Sequence, residues 1–310
     1  MSDQTAPLKH PIRYRLEAFA ARLTFGVLGL LSVDTASAFG GWLGRTVGPR
    51  TKAHRIAARN LERAMPELTA DARDKALRGA WDNFGRTMTE YAVIPRLKTR
   101  VAIEGHEELA ARAREGKPAL LMTAHLANWE VIFDALRIHT KPITAVYRKA
   151  NNPLVDQMIA DVRLRGVAGL APKGPAGARI VLSELKQGGH VVMLVDQKLS
   201  SGVDVPFFGR PAATAPAIAS FALRLDCPVY PIRVERLGGA NFKLTIEKPW
   251  RFTPSEDHDA DVRAALTQTS ISIPVQNAAP MLGEFQEIYL FEHRRGAPER
   301  SLDLHLMGEA

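Results

Sequence analysis

A histidine and a glutamate, His125 and Glu130, stand five positions apart in the segment AHLANWE. A histidine can take the proton of a hydroxyl group, and a carboxylate bound to its ring can fix the imidazole tautomer and stabilise the cation. The segment follows the apolar run 119–123, and α/β proteins bind ligands at the carboxyl ends of strands. The spacing therefore predicts a His-Glu general-base dyad. A capping histidine beside a surface glutamate is the structural alternative.

Three more polar residues are candidates for the same site. Arg148 and Asp196 directly follow the apolar runs 142–147 and 190–195, and Asn128 lies between the histidine and the glutamate. Arg148 is suited to hold a phosphate or to polarise a carbonyl oxygen. Asp196 is suited to orient Arg148 or a bound substrate, and Asn128 to donate a hydrogen bond that shapes the site. The structural alternatives are a surface arginine, a turn aspartate and a polar residue in a first helical turn.

The sequence lacks the residues that several other classes of enzyme require. The single cysteine, Cys227, excludes an internal disulfide, a cysteine-only zinc site and a two-cysteine redox motif, and its apolar context favours a buried structural thiol. His125 and Glu130 lack the second histidine of the His-Glu-x-x-His zinc motif. The Gly-x-Ser-x-Gly elbow of serine hydrolases is missing too. We therefore expect neither a metal nor another cofactor.

The elements that position these residues change character near residue 100. Residues 53–95 show apolar positions at helical spacing, with Thr69 as a cap. From about residue 101, short apolar runs alternate with amphipathic ones, which predicts an α/β fold with a mixed, mostly parallel sheet flanked by helices. We expect a helical N-terminal segment over residues 1–98 and an α/β catalytic domain over residues 99–310.

The helical segment includes a candidate membrane anchor at about residues 18–45. Between Arg22 and Arg45 the only charged residue is Asp34. Glycines, serines and this aspartate make a poor bilayer core, so a helix in the membrane interface is favoured over a span. A buried helix of a soluble protein is the structural alternative. Basic residues on both flanks suit anionic headgroups on the cytoplasmic side.

The net charge of the chain indicates the sign of its partner's charge. Lysines and arginines outnumber aspartates and glutamates by 41 to 33, which favours an anionic partner such as a nucleic acid, a phospholipid surface or an acidic protein. A nucleic-acid partner is not expected, because zinc-finger spacing, an RNA-recognition aromatic motif and a recognition helix are all missing from the sequence.

The segment HLANWE closely resembles the His-x-x-Asn-Trp-Glu signature of the bacterial lipid A biosynthesis acyltransferases, the late lauroyl and myristoyl transferases. Further blocks resemble that family in the same order, over roughly residues 20–265. They are Asn60-Leu61 with Met65-Pro66-Glu67, Asn83-Phe84-Gly85-Arg86 with Glu90, Val146-Tyr147-Arg148 with Asn152-Pro153-Leu154, and Asp196-Gln197 with Val205-Pro206-Phe207-Phe208-Gly209 and Ala213-Thr214.

The resemblance implies transfer of a fatty acyl group from acyl carrier protein to a hydroxyl of a lipid A precursor at the cytoplasmic face of the bacterial inner membrane, without metal or nucleotide. His125 would deprotonate the acceptor hydroxyl, and Glu130 would orient His125. The donor protein is acidic and the acceptor carries phosphates, so both suit a basic surface. Two alternatives stay open: transfer to another lipid hydroxyl, such as that of a glycolipid or ornithine-type lipid, and a catalytically inactive lipid-binding homologue.

The chain departs from the family pattern in two places. Residues 268–292 lack the helical, tryptophan-containing run that the family carries before its His-x-Arg tail, and Pro274 and Pro280 interrupt this stretch. A divergent C-terminus and a local reading-frame error would each explain this departure, and the departure is the reason why the inactive homologue stays open as an alternative. Ala127 and Ala124 stand where the family commonly has glycine, which predicts a slightly tighter turn beside His125.

Overall fold

A seven-stranded sheet with helices on both sides forms the centre of the described chain. The structure is a computed structural model that describes residues 11–141, 143–252, 275–276 and 279–280. The helices are α1 (Pro11–Gly29), α2 (Val33–Val47), α3 (Lys52–Ala64), α4 (Ala70–Glu90), α5 (Glu107–Arg114), α6 (Val131–His139), α7 (Pro153–Arg163), α8 (Pro175–Lys186) and α9 (Ala217–Leu225). The strands are β1 (Val101–Glu104), β2 (Ala119–Thr123), β3 (Ile143–Tyr147), β4 (Gly169–Pro172), β5 (His190–Leu194), β6 (Lys198–Phe207), β7 (Arg210–Thr214), β8 (Val229–Gly238), β9 (Asn241–Ile246), β10 (Val275–Gln276) and β11 (Ala279–Pro280).

The main sheet is mixed and mostly parallel, which confirms the predicted fold class. Its strand order is β1-β9-β8-β2-β5-β3-β4, and only the β8–β9 pair in it is antiparallel. Buried strands of a parallel sheet are apolar along their whole length, since helices cover both faces. Leu120 and Leu121 of β2 and Val191 and Val192 of β5 follow this rule and are fully buried, whereas His190 at the start of β5 is a buried polar residue.

The register of the parallel strands brings the predicted site residues to one edge. Thr123 at the end of β2 pairs with Leu194 at the end of β5, and β5 pairs on its other side with β3. The segments that follow these strands carry His125, Asp196 and Arg148. Adjacent strands lie about 5 Å apart, so these side chains start within reach of one another.

Cys227 lies in the core, as its apolar context indicates. The residue is buried and its thiol is free. Burial raises the pKa of the Cys227 thiol to about 11. The thiol is therefore protonated at neutral pH and unsuited to act as a nucleophile.

From Pro11 to Arg100 the described chain is helical and consists of α1 to α4 and short 3-10 turns. Thr69 caps α4, since its hydroxyl accepts a hydrogen bond from the Ala72 amide at 3.2 Å. The apolar stretch is divided between α1 and α2 by a break at residues 30–32, and the hydroxyl of Ser32 caps α2. Among the helices of the described residues, none is both long and apolar enough to cross a membrane.

Glycines bring α2 and α4 into backbone contact. A methyl group on Gly85 would collide with the carbonyl oxygen of Gly40 and lie 3.0 Å from the Cα of Gly44. The close approach lets the Thr89 hydroxyl donate to the Ala36 carbonyl oxygen at 2.8 Å. It also brings the Ser37 hydroxyl to the Glu90 carboxylate at 2.6 Å. The packing of α2 on α4 thus fixes the position of the buried Glu90 carboxylate.

Two C-terminal expectations had different outcomes. A threonine before the apolar run 215–225 predicts a helix cap at Thr214, but this residue ends β7, its hydroxyl donates to the Ala212 carbonyl oxygen, and α9 begins at Ala217. Thr214 belongs to β7 because the antiparallel pairing of β6 with β7 extends to this residue, which pairs with Val203. The unusual segment 268–292 lies outside the described residues, apart from the short strands β10 and β11.

Candidate active site

His125 is hydrogen-bonded to Asp196 at the edge where β2 and β5 end. The Nδ1 atom of His125 lies 2.8 Å from Asp196 Oδ1, and the backbone amide of His125 donates to Asp196 Oδ2 at 2.9 Å. With Nδ1–H donating to the carboxylate, Nε2 keeps its lone pair and can accept a proton. The side chains are 32% and 39% exposed, so a substrate can reach this pair.

The electrostatics of Asp196 suit its contact with an imidazole. Partial burial opposes ionisation, but the hydrogen bonds and charge of His125 outweigh it, and the pKa of Asp196 is lowered from its usual value of 3.8. The carboxylate is therefore ionised at neutral pH and can stabilise an imidazolium. The indole of Trp129 stands edge-on to the His125 ring at 4.6 Å and restricts its movement.

Glu130 does not contact His125, which corrects the predicted arrangement of the dyad. Among the described residues, its carboxylate accepts hydrogen bonds from Trp129 Nε1 at 2.9 Å, from Arg163 Nε at 3.0 Å and from Arg163 Nη2. The side chain is only 1% exposed. The geometry gives the orienting position to Asp196, and any catalytic role of Glu130 stays a prediction.

The reason for the difference is the backbone between the two residues. Helix α6 begins only after Glu130, so the chain between His125 and Glu130 is a turn. Ala127 has φ +45°, in the left-handed region, at a cost of about 1–2 kcal/mol for a residue with a Cβ. This residue turns the chain, so that His125 faces outward and Glu130 faces α7.

Arg163 and Tyr91 complete the environment of Glu130. Burial acts against the charge of Arg163, but the hydrogen bond and charge of Glu130 outweigh it and raise the pKa of Arg163 above its usual value. Burial, and then the nearby Glu130 carboxylate, raise the pKa of the Tyr91 hydroxyl. Arg163 therefore keeps its charge inside the protein, beside the Glu130 carboxylate.

Asn128 is fully buried and shapes the turn from within. Its Nδ2 donates to Glu90 Oε2 at 2.8 Å, and its Oδ1 accepts from the Glu130 amide at 3.1 Å. Protein groups thus occupy both ends of the side-chain amide. The predicted site-shaping hydrogen bond of Asn128 goes to Glu90, and a contact of Asn128 with substrate stays a prediction.

Glu90 also binds Arg236 of β8. Its carboxylate accepts from Arg236 Nη1 at 2.6 Å and Nη2 at 3.1 Å, and Arg236 Nε donates to Asn83 Oδ1 at 2.9 Å. Glu90 is fully buried and Arg236 is 12% exposed. The buried ion pair therefore connects α4, β8 and the turn that carries His125.

Arg148 follows β3 at the same edge and is exposed. Neighbouring segments add the exposed cations Lys149, Lys173 and Lys198. Lys173 Nζ donates to Gln197 Oε1 at 3.0 Å, and Gln197 Nε2 lies 3.5 Å from His125 Nε2. Positive charge thus extends from the histidine along the sheet edge. The role of Arg148 in substrate binding stays a prediction.

The described residues include no cluster of side chains that could bind a metal ion. Within the described ranges, no group of three or more histidine, cysteine, aspartate or glutamate side chains could hold a metal ion. The His125–Asp196 pair resembles the base and orienting carboxylate of hydroxyl-activating enzymes. By itself this arrangement can deprotonate a hydroxyl group for attack on an acyl carbon.

Comparison with known families decides the class. Residues 4–275 match the model of the family described as bacterial lipid A biosynthesis acyltransferase. This chain belongs to that family. Two lipid A biosynthesis acyltransferases of Haemophilus influenzae are similar to this member: one is 27% identical over 234 residues (72% of each chain), and the other 25% identical over 232 residues (71% of this chain and 72% of its own).

Two other similarities are more limited. A stretch of 54 residues is 41% identical to the UPF0047 protein sll1880 of Synechocystis, and it covers 17% of this acyltransferase and 37% of that protein. The solved structure of the 1-acyl-sn-glycerophosphate acyltransferase PlsC from Thermotoga maritima aligns with a TM-score of 0.36 and 13% identity, and covers 81% of this chain and 94% of its own.

Two arginines of this acyltransferase site are missing from the sequence-based prediction. Arg163 and Arg236 lie 33 and 146 positions from the glutamates they bind. Neither stands in a motif, and only the tertiary structure brings them to the site. Glu90 and Asn83, in contrast, lie in a block that carries the family resemblance.

Proposed function

We propose that this acyltransferase moves a fatty acyl group from acyl carrier protein to a hydroxyl group of a lipid A precursor, forming an acyloxyacyl ester. Family membership supports acyl transfer in general. The observation that carries the proposed mechanism is the contact of His125 Nδ1 with Asp196 Oδ1 at 2.8 Å, which leaves Nε2 as the basic atom.

The reaction uses His125 as base and then as acid. Nε2 takes the proton of the acceptor hydroxyl while its oxygen attacks the thioester carbonyl carbon, and Asp196 stabilises the imidazolium. The tetrahedral intermediate collapses, the carbon–sulfur bond breaks, and the leaving thiolate takes the proton from Nε2. One ester and one thiol form from one alcohol and one thioester, and the histidine returns to its starting state.

The basic sheet edge serves the charged parts of both substrates. The exposed cations Arg148, Lys149, Lys173 and Lys198 follow three neighbouring strands close to His125. An acidic donor protein and a phosphate-bearing acceptor are attracted to such an edge, and Arg148 is the candidate for the phosphate or for the thioester oxygen. Donor binding should weaken as salt rises, because exposed charges are screened.

An apolar surface on the helical part supports a role at the membrane. The outward stripe of α1 is formed by five side chains that are each more than half exposed: Ile12, Leu16, Phe19, Leu23 and Val27. Its opposite face already packs on the protein, with Ala18 and Leu28 buried and Phe25 stacked on Tyr91. A helix that is apolar on both faces requires a second apolar environment. The proposed environment is the cytoplasmic surface of the bacterial inner membrane.

Exposed apolar residues also lie on α2, on α4 and beside His125. α2 exposes Phe39, Trp42 and Leu43, α4 exposes Phe84 and Met88, and Leu126 is exposed next to His125. Thr87, between the two α4 residues, is bonded to the Ala127 carbonyl oxygen at 3.0 Å, so this part of α4 borders the turn. In the proposed arrangement, these residues face the membrane surface from which the lipid substrate comes.

Replacing Leu16, Phe19 and Leu23 by glutamine should reduce binding to phosphatidylethanolamine–phosphatidylglycerol vesicles by at least about tenfold. Each exposed side chain contributes on the order of 1 kcal/mol when it enters an apolar phase. Co-sedimentation measures the effect. Leu164→Gln and Leu237→Gln, which change exposed leucines outside the α1 stripe, are the matched controls. Unchanged sedimentation of the triple variant would place the attachment elsewhere.

A transfer assay tests the function itself. The wild-type protein is incubated with a panel of acyl carrier protein thioesters and a tetra-acylated, sugar-extended lipid A precursor. We expect an ester product that depends on the carrier-bound donor. Product with a glycolipid or ornithine-type lipid alone would support the alternative acceptor class. A folded, membrane-bound protein that makes no product with any acceptor would support an inactive homologue.

A further inference from the structure

The turn that carries His125 contains a strained residue. Ala127, two positions after His125, has φ +45°, in the region that favours glycine. Such a conformation persists only where surrounding contacts hold it, and strain of this kind concentrates at functional sites. The contacts that hold Ala127 therefore bear on the histidine.

Two side chains of α4 converge on the carbonyl oxygen of Ala127. Asn83 Nδ2 donates to it at 3.0 Å, and Thr87 Oγ1 lies 3.0 Å from it. The Thr87 hydroxyl shares its hydrogen with the Asn83 carbonyl oxygen in its own helix at 2.9 Å. Asn83 and Thr87 lie one helical turn apart, so α4 presents both donors on the same face.

A buried ion pair fixes the orientation of the Asn83 amide. Arg236 Nε donates to Asn83 Oδ1 at 2.9 Å, which directs the amide NH₂ toward Ala127. Glu90 holds Arg236 through both terminal nitrogens, and it also accepts from Asn128, the residue after Ala127. Both Ala127 and Asn128 are thus tied to α4.

The strained turn also sets the position of the histidine. The His125 backbone amide donates to Asp196 Oδ2 at 2.9 Å, while the ring binds Asp196 Oδ1 at 2.8 Å. Both contacts require one backbone direction at residue 125. A relaxed φ at Ala127 would rotate the chain between His125 and the buried Asn128, and so disturb both contacts.

We infer that Asn83 and Thr87 are positioning residues, which clamp the Ala127 carbonyl and thereby hold His125 against Asp196. The inference rests on the proposed role of His125 as the base. It assigns a task to Asn83 in the block Asn83-Phe84-Gly85-Arg86, which the proposed mechanism leaves without one. A clamp acts through the strain at Ala127, whereas an ordinary packing role would not depend on that strain.

The test combines removal of the clamp with removal of the strain. In the variant Asn83→Ala/Thr87→Val, we expect kcat to fall by about tenfold or more with little change in KM, because a displaced base acts less often. Adding Ala127→Gly should restore most of kcat, since glycine adopts φ +45° without a steric penalty. Asn241→Ala is the matched control: its amide donates to the Gly238 carbonyl oxygen at 3.2 Å in a turn between β8 and β9.

A second readout does not depend on activity. In protein labelled with ¹⁵N-histidine, the Nδ1–H signal of His125 is assigned by its loss in His125→Ala. We expect that signal to broaden or shift in Asn83→Ala/Thr87→Val and to return with Ala127→Gly. If the wild-type protein transfers no acyl group, the proposed function fails while this signal still tests the clamp.

Three results separate the outcomes. Loss of signal and rate in the double variant, with recovery by Ala127→Gly, supports the clamp. An unchanged signal in the double variant overturns it, and so does a loss that Ala127→Gly does not repair. If the double variant does not fold, the isosteric Thr87→Val, alone and with Ala127→Gly, is measured against the same criteria.

Discussion

Replacing His125 by alanine should lower the rate of acyl transfer by at least about 10³-fold while the protein stays folded. A general base contributes roughly 10²- to 10⁴-fold to such a reaction, and no other described imidazole contacts Asp196. The His125 side chain is 32% exposed, so its removal leaves no large cavity. Initial rates with the acyl carrier protein thioester measure the effect, and circular dichroism confirms the fold.

Asp196→Asn should lower kcat by about 10²-fold or more with a small change in KM. The amide has nearly the same shape as the carboxylate, but it cannot neutralise an imidazolium, and it accepts the His125 hydrogen bonds through one oxygen only. Asp204→Asn, an exposed aspartate on β6, is the matched control and should keep the wild-type rate. Wild-type activity in Asp196→Asn would show that the carboxylate beside His125 has no part in the chemistry.

The pairing of His125 with Asp196 could be predicted only in part from the sequence. Apolar runs followed by polar residues predicted that both lie at the carboxyl edge of a parallel sheet, and the structure has them there. Which carboxylate reaches the imidazole depends on the backbone between residues 125 and 130. The left-handed conformation of Ala127 has no signature in the residue itself, since alanine strongly prefers other conformations.

The arginine partners of the buried glutamates could not be predicted from the sequence. Glu90 and Glu130 each bind an arginine from an element remote in sequence, and an arginine on β8 or α7 looks like any other surface residue in a sequence. Similarly, the spacing of apolar residues predicts helix α1, but it does not reveal which face packs on the protein. Only tertiary packing distinguishes the buried Leu28 from the exposed Leu23.

Glu130→Ala should destabilise the protein by about 3–5 kcal/mol, because it leaves the guanidinium of Arg163 buried without its counter-ion. Urea unfolding measures the loss. Glu62→Ala is the matched control: Glu62 lies 3.6 Å from Arg73 and is 66% exposed, so we expect a loss below about 1 kcal/mol.

The double variant Glu130→Leu/Arg163→Leu separates stability from chemistry. Two apolar side chains remove both buried charges together, so this variant should be more stable than Glu130→Ala, by about 2 kcal/mol or more. If Glu130 serves only to anchor α7 beneath the catalytic turn, a folded double variant should keep most of the transfer activity. If the folded double variant is inactive while Asp196→Asn stays active, Glu130 takes part in the chemistry, as the His-x4-Glu spacing predicts. The two variants together therefore decide which carboxylate assists His125, because each removes one candidate and leaves the other in place.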